Sequence, residues 1–98
     1  MPAAEEQLGR AAEIAPGEPK VQLELGKVLA RSGKTAEAIG AYRRAAALQP
    51  GNATTFHVLG ILYKRAGDVP DAQQAFQHAL ALDPRRKDTA HELESLGR

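Results

Sequence analysis

Three histidines, His57, His78 and His91, are the residues of this chain best suited to metal or acid–base chemistry. A zinc site needs three or four ligands converging on one ion, so their spacing decides. The interval from His57 to His91 is one that recurs through the chain, carrying Leu25 onto Leu59 and Gly26 onto Gly60. On successive equivalent helices they line one face about two helix diameters of roughly 10 Å apart, too far for easy shared coordination. His78 falls on a different kind of helix, toward another face. The histidines therefore read as solvated or surface-lining side chains, with no metal site and no cofactor implied. Asp68 and Asp71 form a carboxylate pair one turn apart, but both sit where a helix begins and its dipole favours negative charge. The Arg43-Arg44 and Arg85-Arg86-Lys87 clusters could meet phosphates. No aromatic platform accompanies them, and backbone contacts alone give unspecific, salt-sensitive binding, so they read as solvated charge. Nothing matches a nucleophile elbow, a phosphate loop or a metalloprotease helix. The chain reads as a protein without catalysis of its own.

The elements that would position these groups follow from composition and period. The chain has 98 residues, enough for one small domain, with 43% apolar and 26% charged residues, a globular balance. Absence of cysteine excludes disulfides and thiolate metal sites. There is no basic start followed by an apolar run and no apolar stretch near the roughly 18–20 residues of a membrane span. A cytoplasmic protein without membrane insertion is expected. The net charge of +1 offers no general attraction to nucleic acid. Its distribution is uneven: residues 1–18 carry −3, residues 19–52 carry +4, residues 53–86 carry +1 and residues 87–98 carry −1. A basic middle between acidic ends can steer an acidic partner.

Shifted by that interval, the sequence meets itself. Leu25, Gly26, Arg31, Gly33, Ala38, Ala41, Ala45, Leu48 and Pro50 fall on Leu59, Gly60, Arg65, Gly67, Ala72, Ala75, Ala79, Leu82 and Pro84. Tyr42 falls on Phe76 and Leu29 on Tyr63. Each unit predicts two helices: Pro19–Arg31 then Thr35–Leu48, and Ala53–Arg65 then Val69–Leu82. Ser32-Gly33 and Ala66-Gly67 mark the turns, because glycine accepts the positive φ of a helix end. Pro50 and Pro84 stop the second helices. Gly26 and Gly60 are expected to admit close approach of the partner helix, facing Ala38 and Ala72, with Tyr42 and Phe76 filling the space beside them.

This pattern resembles the tetratricopeptide repeat, which runs W-x2-L-G-x2-Y, then A-x3-F, then P, with a period of about 34 residues. Phe56, Leu59, Gly60, Tyr63, Ala72, Phe76, Ala79 and Pro84 carry the resemblance in the second unit. Leu25, Gly26, Leu29, Ala38, Tyr42, Ala45 and Pro50 carry it in the first. Gln22 departs, placing a polar residue at the bulky first site, and is expected to weaken packing there. Ala4, Leu8, Ala11 and Ile14 hold the register of a second helix over residues 2–15 whose own first helix is missing. Residues 88–96 hold that of a first helix, with Ala90 and Leu93 in register, Gly97 replacing a large residue and Thr89 and Glu92 forming a capping box. The resemblance implies an all-α, right-handed solenoid of antiparallel hairpins, about six helices forming a single domain over 1–98: the incomplete repeat 1–18, repeats 19–52 and 53–86, and a capping helix 87–98.

The resemblance also implies a function: a scaffold or adaptor that takes a peptide or partner helix on the concave face lined by first helices. In this register the groove residues are Lys20, Leu23, Lys27, Arg31, His57, Ile61, Lys64, Arg65 and His91. Basic side chains beside the apolar Leu23 and Ile61 suit an acidic peptide with a hydrophobic anchor. The carboxylate clamp that holds chaperone tails in this family would need Lys, Asn, Asn, Lys and Arg at Leu23, Lys27, Val58, Asp88 and Glu92. None matches, and the last two reverse the charge. Two alternatives accompany this reading: an accessory domain of a longer enzyme, and self-association through the uncovered N-terminal helix around Leu8.

Overall fold

A computed structural model describes residues 2–96, with side chains from Glu5 onward. The regular structure among them is helical: α1 (Pro2–Ile14), α2 (Pro19–Arg31), α3 (Thr35–Leu48), α4 (Ala53–Arg65), α5 (Val69–Leu82) and α6 (Lys87–Leu96). The bounds of α2 to α5 are those the repeat predicts. The chain divides into two compact units, Met1–Pro50 and Gly51–Arg98.

In the first unit, α2 and α3 form an antiparallel hairpin and α1 packs on α2. Pro19 starts α2, where its missing N–H removes nothing from the helix ladder. The turn after α2 falls on Gly33, whose φ is 79°. Residues that carry a side chain disfavour this left-handed conformation. Lys34 N–H reaches back to Leu29 C=O at 2.9 Å and Gly33 N–H to Ala30 C=O at 3.1 Å, satisfying carbonyls the helix would leave open. Leu25, Leu29, Ala38, Ala41, Tyr42 and Ala45 form the core.

The second unit repeats this design in α4 and α5, with α6 packed on α5. Asn52 Oδ1 accepts from the N–H groups of Thr54 and Thr55, and Asp68 Oδ1 accepts from that of Asp71. These side-chain caps satisfy amides that the first turns leave open. Gly67 turns at φ 80°. Leu59, Leu62, Ala72, Ala75, Phe76 and Ala79 form the core, with Phe76 fully enclosed.

Three expectations are corrected. The atoms nearest each glycine belong to an aromatic ring and not to the facing alanine: a Cβ on Gly26 would lie 2.7 Å from the Tyr42 ring, and one on Gly60 would collide with that of Phe76. Gln22 does not loosen its hairpin. Its side chain is buried and its Oε1 accepts a 2.9 Å hydrogen bond from Arg44 Nε, which compensates the buried amide. Thr89 and Glu92 form no capping box, because Thr89 lies inside α6 and both side chains turn toward α4. Leu93 is half-buried, whereas Ala90 is exposed. The Ala4 side chain and Gly97 lie outside the described residues.

Candidate functional site

On α2, Lys20, Leu23, Lys27 and Arg31 recur every three or four residues and share one helix face. Lys20, Lys27 and Arg31 are exposed or half-exposed and Leu23 is half-buried. Lys27 pairs with Glu24 at 3.4 Å in an exposed contact, a weak tether in water. Lys20 and Arg31 form no ion pair among the described residues. This face carries concentrated positive charge with one apolar point inside it.

The corresponding face of α4, with His57, Ile61 and Lys64, is partly occupied by α6. His57 Nδ1 lies 2.8 Å from Thr89 Oγ1, a fully buried hydroxyl, and His57 Nε2 lies 3.7 Å from Asp88. Burial pushes the His57 pKa down more than the Asp88 charge pulls it up, with Arg86 adding to the fall, since a desolvated imidazole resists taking on charge. The ring is therefore held toward its neutral form, with Nδ1 turned to the Thr89 hydroxyl. Lys64 Nζ pairs with Glu92 at 2.9 Å. Arg86 grips Asp88 at 2.9 Å and donates to Thr54 Oγ1 at 2.8 Å. The Arg86 hydrogen bond holds the Asp88 carboxyl far below the usual carboxylate range, and the Thr89 amide reinforces it, because both donors favour the charged form. Ile61 is half-buried, while Arg65 and His91 are exposed with no hydrogen-bond partner among the described residues.

The structure thus brings His57 and Lys64 together with α6, and leaves Arg65 and His91 outside that network. Spacing placed Asp88 and Glu92 in the groove register and Thr89 at a cap, but missed that Thr89 and Asp88 meet His57 and that Glu92 meets Lys64. A signal for Thr89 existed: it falls one repeat beyond Thr55, itself buried. Elsewhere, His78 stacks on Phe56 with ring centroids 3.8 Å apart. Among the described residues, no three His, Cys, Asp or Glu side chains come together as a metal site. No described helix is long and apolar enough to cross a membrane. Leu8 is half-buried on α1, whereas Ile14 is 84% exposed.

Two hairpins in one repeating frame, each turning on a left-handed glycine, define a helical-repeat protein. The family model described as Tetratricopeptide repeat matches residues 18–85, and the chain belongs to that family. No curated protein matches the chain significantly. Among solved structures, MamA superposes with a TM-score of 0.91 at 21% identity, covering 94% of this chain and 54% of that one. The chain thus spans about half the length of MamA. The first tetratricopeptide domain of Spaghetti (RPAP3), bound to the HSP90 peptide SRMEEVD, gives 0.86 at 17% identity, covering 95% and 74%. The Yersinia enterocolitica secretion chaperone SycD, in complex with a peptide of the translocator YopD, gives 0.86 at 14% identity, covering 95% and 76%. At these identities the likeness establishes the fold.

Proposed function

We propose that this chain is a protein-interaction module that binds an acidic peptide or helix segment through the exposed faces of its first helices, without catalysis. The cationic face of α2, where Lys20, Lys27 and Arg31 surround Leu23, carries this reading. On α4, Arg65 and Ile61 offer the same pairing of charge and apolar surface, with His57 and His91 in the same unit. Lys64 is a lesser contributor, since Glu92 already neutralises it. The peptide complexes of RPAP3 and SycD support the class of function. A free C-terminal carboxylate is disfavoured, because Asp88 and Glu92 stand where the chaperone-tail clamp needs cations. The preferred ligand is an internal acidic segment with an apolar residue seated near Leu23. Charge reversal in a Lys27→Glu, Arg31→Glu double variant should slow association with such a segment and flatten its salt dependence. Stopped-flow binding to a peptide selected by display reads both. Unchanged association rates in the double variant would exclude this surface.

Self-association is a second reading, favoured by the exposure of Ile14. An isolated large apolar side chain can seat a second copy, with Leu8 on the same helix. Ile14→Glu and Leu8→Glu should each shift sedimentation toward the monomer; a wild-type monomer at high concentration rules this reading out.

A further inference from the structure

The polar pair Gln22–Arg44 breaks the pattern of the fold around it. In the second unit the same two register positions hold Phe56 stacked on His78. An aromatic contact has been replaced by a buried amide that accepts from a guanidinium, an arrangement with no packing advantage. Departures from local consistency concentrate at functional sites.

The geometry around Arg44 gives the departure a use. Its Nε is committed to Gln22 at 2.9 Å, and Gln22 is 1% exposed, so the guanidinium is anchored from below. Arg44 Nη1 lies 3.6 Å from the place a Cβ on Gly40 would occupy, so the group is laid across a residue with no side chain. Its two Nη groups make no hydrogen bond among the described residues. Two shallow, open clefts meet here, sharing Gly40 and Arg44. One, of about 370 Å³, is completed by Arg43 and Ala47 and has only cationic charge around it. The other, of about 400 Å³, has Leu25 and Leu29 among its lining residues. Its carboxylates are Glu5, engaged by Lys34 at 2.7 Å, and Glu37.

We propose that Arg44, positioned by Gln22, recognises a carboxylate at a second binding surface on α3, which takes an acidic peptide segment. The carboxylate sits between Arg43 and Arg44, and a neighbouring aliphatic side chain enters the cleft over Leu25 and Leu29. A guanidinium fixed through Nε still offers its Nη edge, and planar pre-organisation is what distinguishes arginine from lysine in such contacts. The charge of the lining residues selects an anion for the first cleft, and the edges of Leu25 and Leu29 in its neighbour favour an aliphatic group there. This surface is independent of the one on α2. At about 100° per residue, the stripe of Gln22, Leu25 and Leu29 lies roughly opposite that of Lys20, Leu23 and Lys27, so either site can fail alone.

The test is a display library of random peptides selected on the full chain and re-measured by fluorescence anisotropy on variants. A class of peptides should emerge with Asp or Glu beside an aliphatic residue. Its affinity should fall at least about ten-fold in Arg44→Lys, which keeps the charge but loses the fork. It should be unchanged in the Lys27→Glu, Arg31→Glu variant. Gln22→Phe provides the control for folding: melting should hold or rise, yet affinity should fall because Arg44 is released. The Arg44 Nε–H resonance should exchange slowly in the wild type, shift with the selected peptide, and lose its protection in Gln22→Phe. Peptides that all bind regardless of Arg44, or that leave its resonance unmoved, overturn the proposal. Dimerisation that disappears in Arg44→Lys would assign the surface to a second copy and also overturn it. Loss of every peptide in the α2 variant alone would leave the first-helix reading standing without this one.

Discussion

The α2–α3 and α4–α5 hairpins use one backbone and two kinds of side-chain support. Both turn on a left-handed glycine, and both press a first-helix glycine against a second-helix ring. The second hairpin adds side-chain caps from Asn52 and Asp68 and an aromatic stack between Phe56 and His78. At the corresponding places the first has Glu18 and Lys34, which cap nothing through their side chains, and the polar Gln22–Arg44 pair. Lys34 instead reaches Glu5 on α1. The shared features fix the fold; the differing ones are free to serve stability in one unit and contacts in the other.

The largest break in the comparison should come at the glycines. A side chain at position 60 collides with the enclosed Phe76 ring, so Gly60→Leu is expected to cost more than about 3 kcal/mol through overpacking. Gly26→Leu should cost less, since Tyr42 remains 4% exposed, whereas Phe76 is wholly enclosed. Thermal or urea denaturation of both variants checks the order, and equal melting of wild type and Gly60→Leu would refute the contact.

Next in size is the polar pair. Arg44→Ala leaves the buried Gln22 amide without its partner, at a cost of about 1–3 kcal/mol. The exchange Gln22→Phe with Arg44→His instead imports the second hairpin's stack and should stabilise the first by about 1 kcal/mol. A destabilised double variant in denaturant titration would show that the two hairpins are not interchangeable at this position. Asn52→Ala should cost about 1 kcal/mol through loss of its cap. Glu18→Ala, at the matching place in the first unit, should cost almost nothing, and hydrogen exchange of the first-turn amides reads the contrast.

The smallest effect is a pH dependence that begins, on acidification from neutrality, in the second unit. The folded state disfavours charged His57, so the unfolded chain binds the extra proton first as pH falls below the ordinary value of about 6.5. This contribution is complete above that value and is lost on acidification toward the lowered folded pKa. Its slope stays below about 1.4 kcal/mol per pH unit. Asp88, whose folded pKa is depressed, then adds a second loss below the normal carboxylate range of about 4. His57→Gln, which keeps a partner for Thr89, should flatten melting between about pH 7 and pH 5, whereas a matching slope in variant and wild type would remove His57 as its source.

Helix limits and the core were legible because glycine, proline and alanine recur in one register, and each acts through the local backbone or its own size. The pairs across helices were not. Spacing placed Gln22 at an interior position but did not disclose that Arg44 reaches it. Likewise Thr89 and Glu92 have the local spacing of a cap, and only the packing of α6 directs them to His57 and Lys64. A long polar side chain has several partners within reach, and tertiary placement chooses among them. The glycine partners were misassigned for a related reason. Register located Gly26 and Tyr42 on facing helices, but not the ring's tilt across the glycine.

The connections within the second unit also bear on how quickly it forms. Its longest side-chain hydrogen bonds, His57 to Thr89 and Arg86 to Thr54, each span 32 residues, and its packed helices are sequence neighbours. Such short-range topology belongs with folding on the microsecond-to-millisecond scale. The hairpin closing on Gly67 brings together residues much nearer in sequence than these bonds do. If the hairpin forms before α6 attaches through Arg86, Thr89 and Glu92, those contacts should slow escape from the native state more than they speed arrival there.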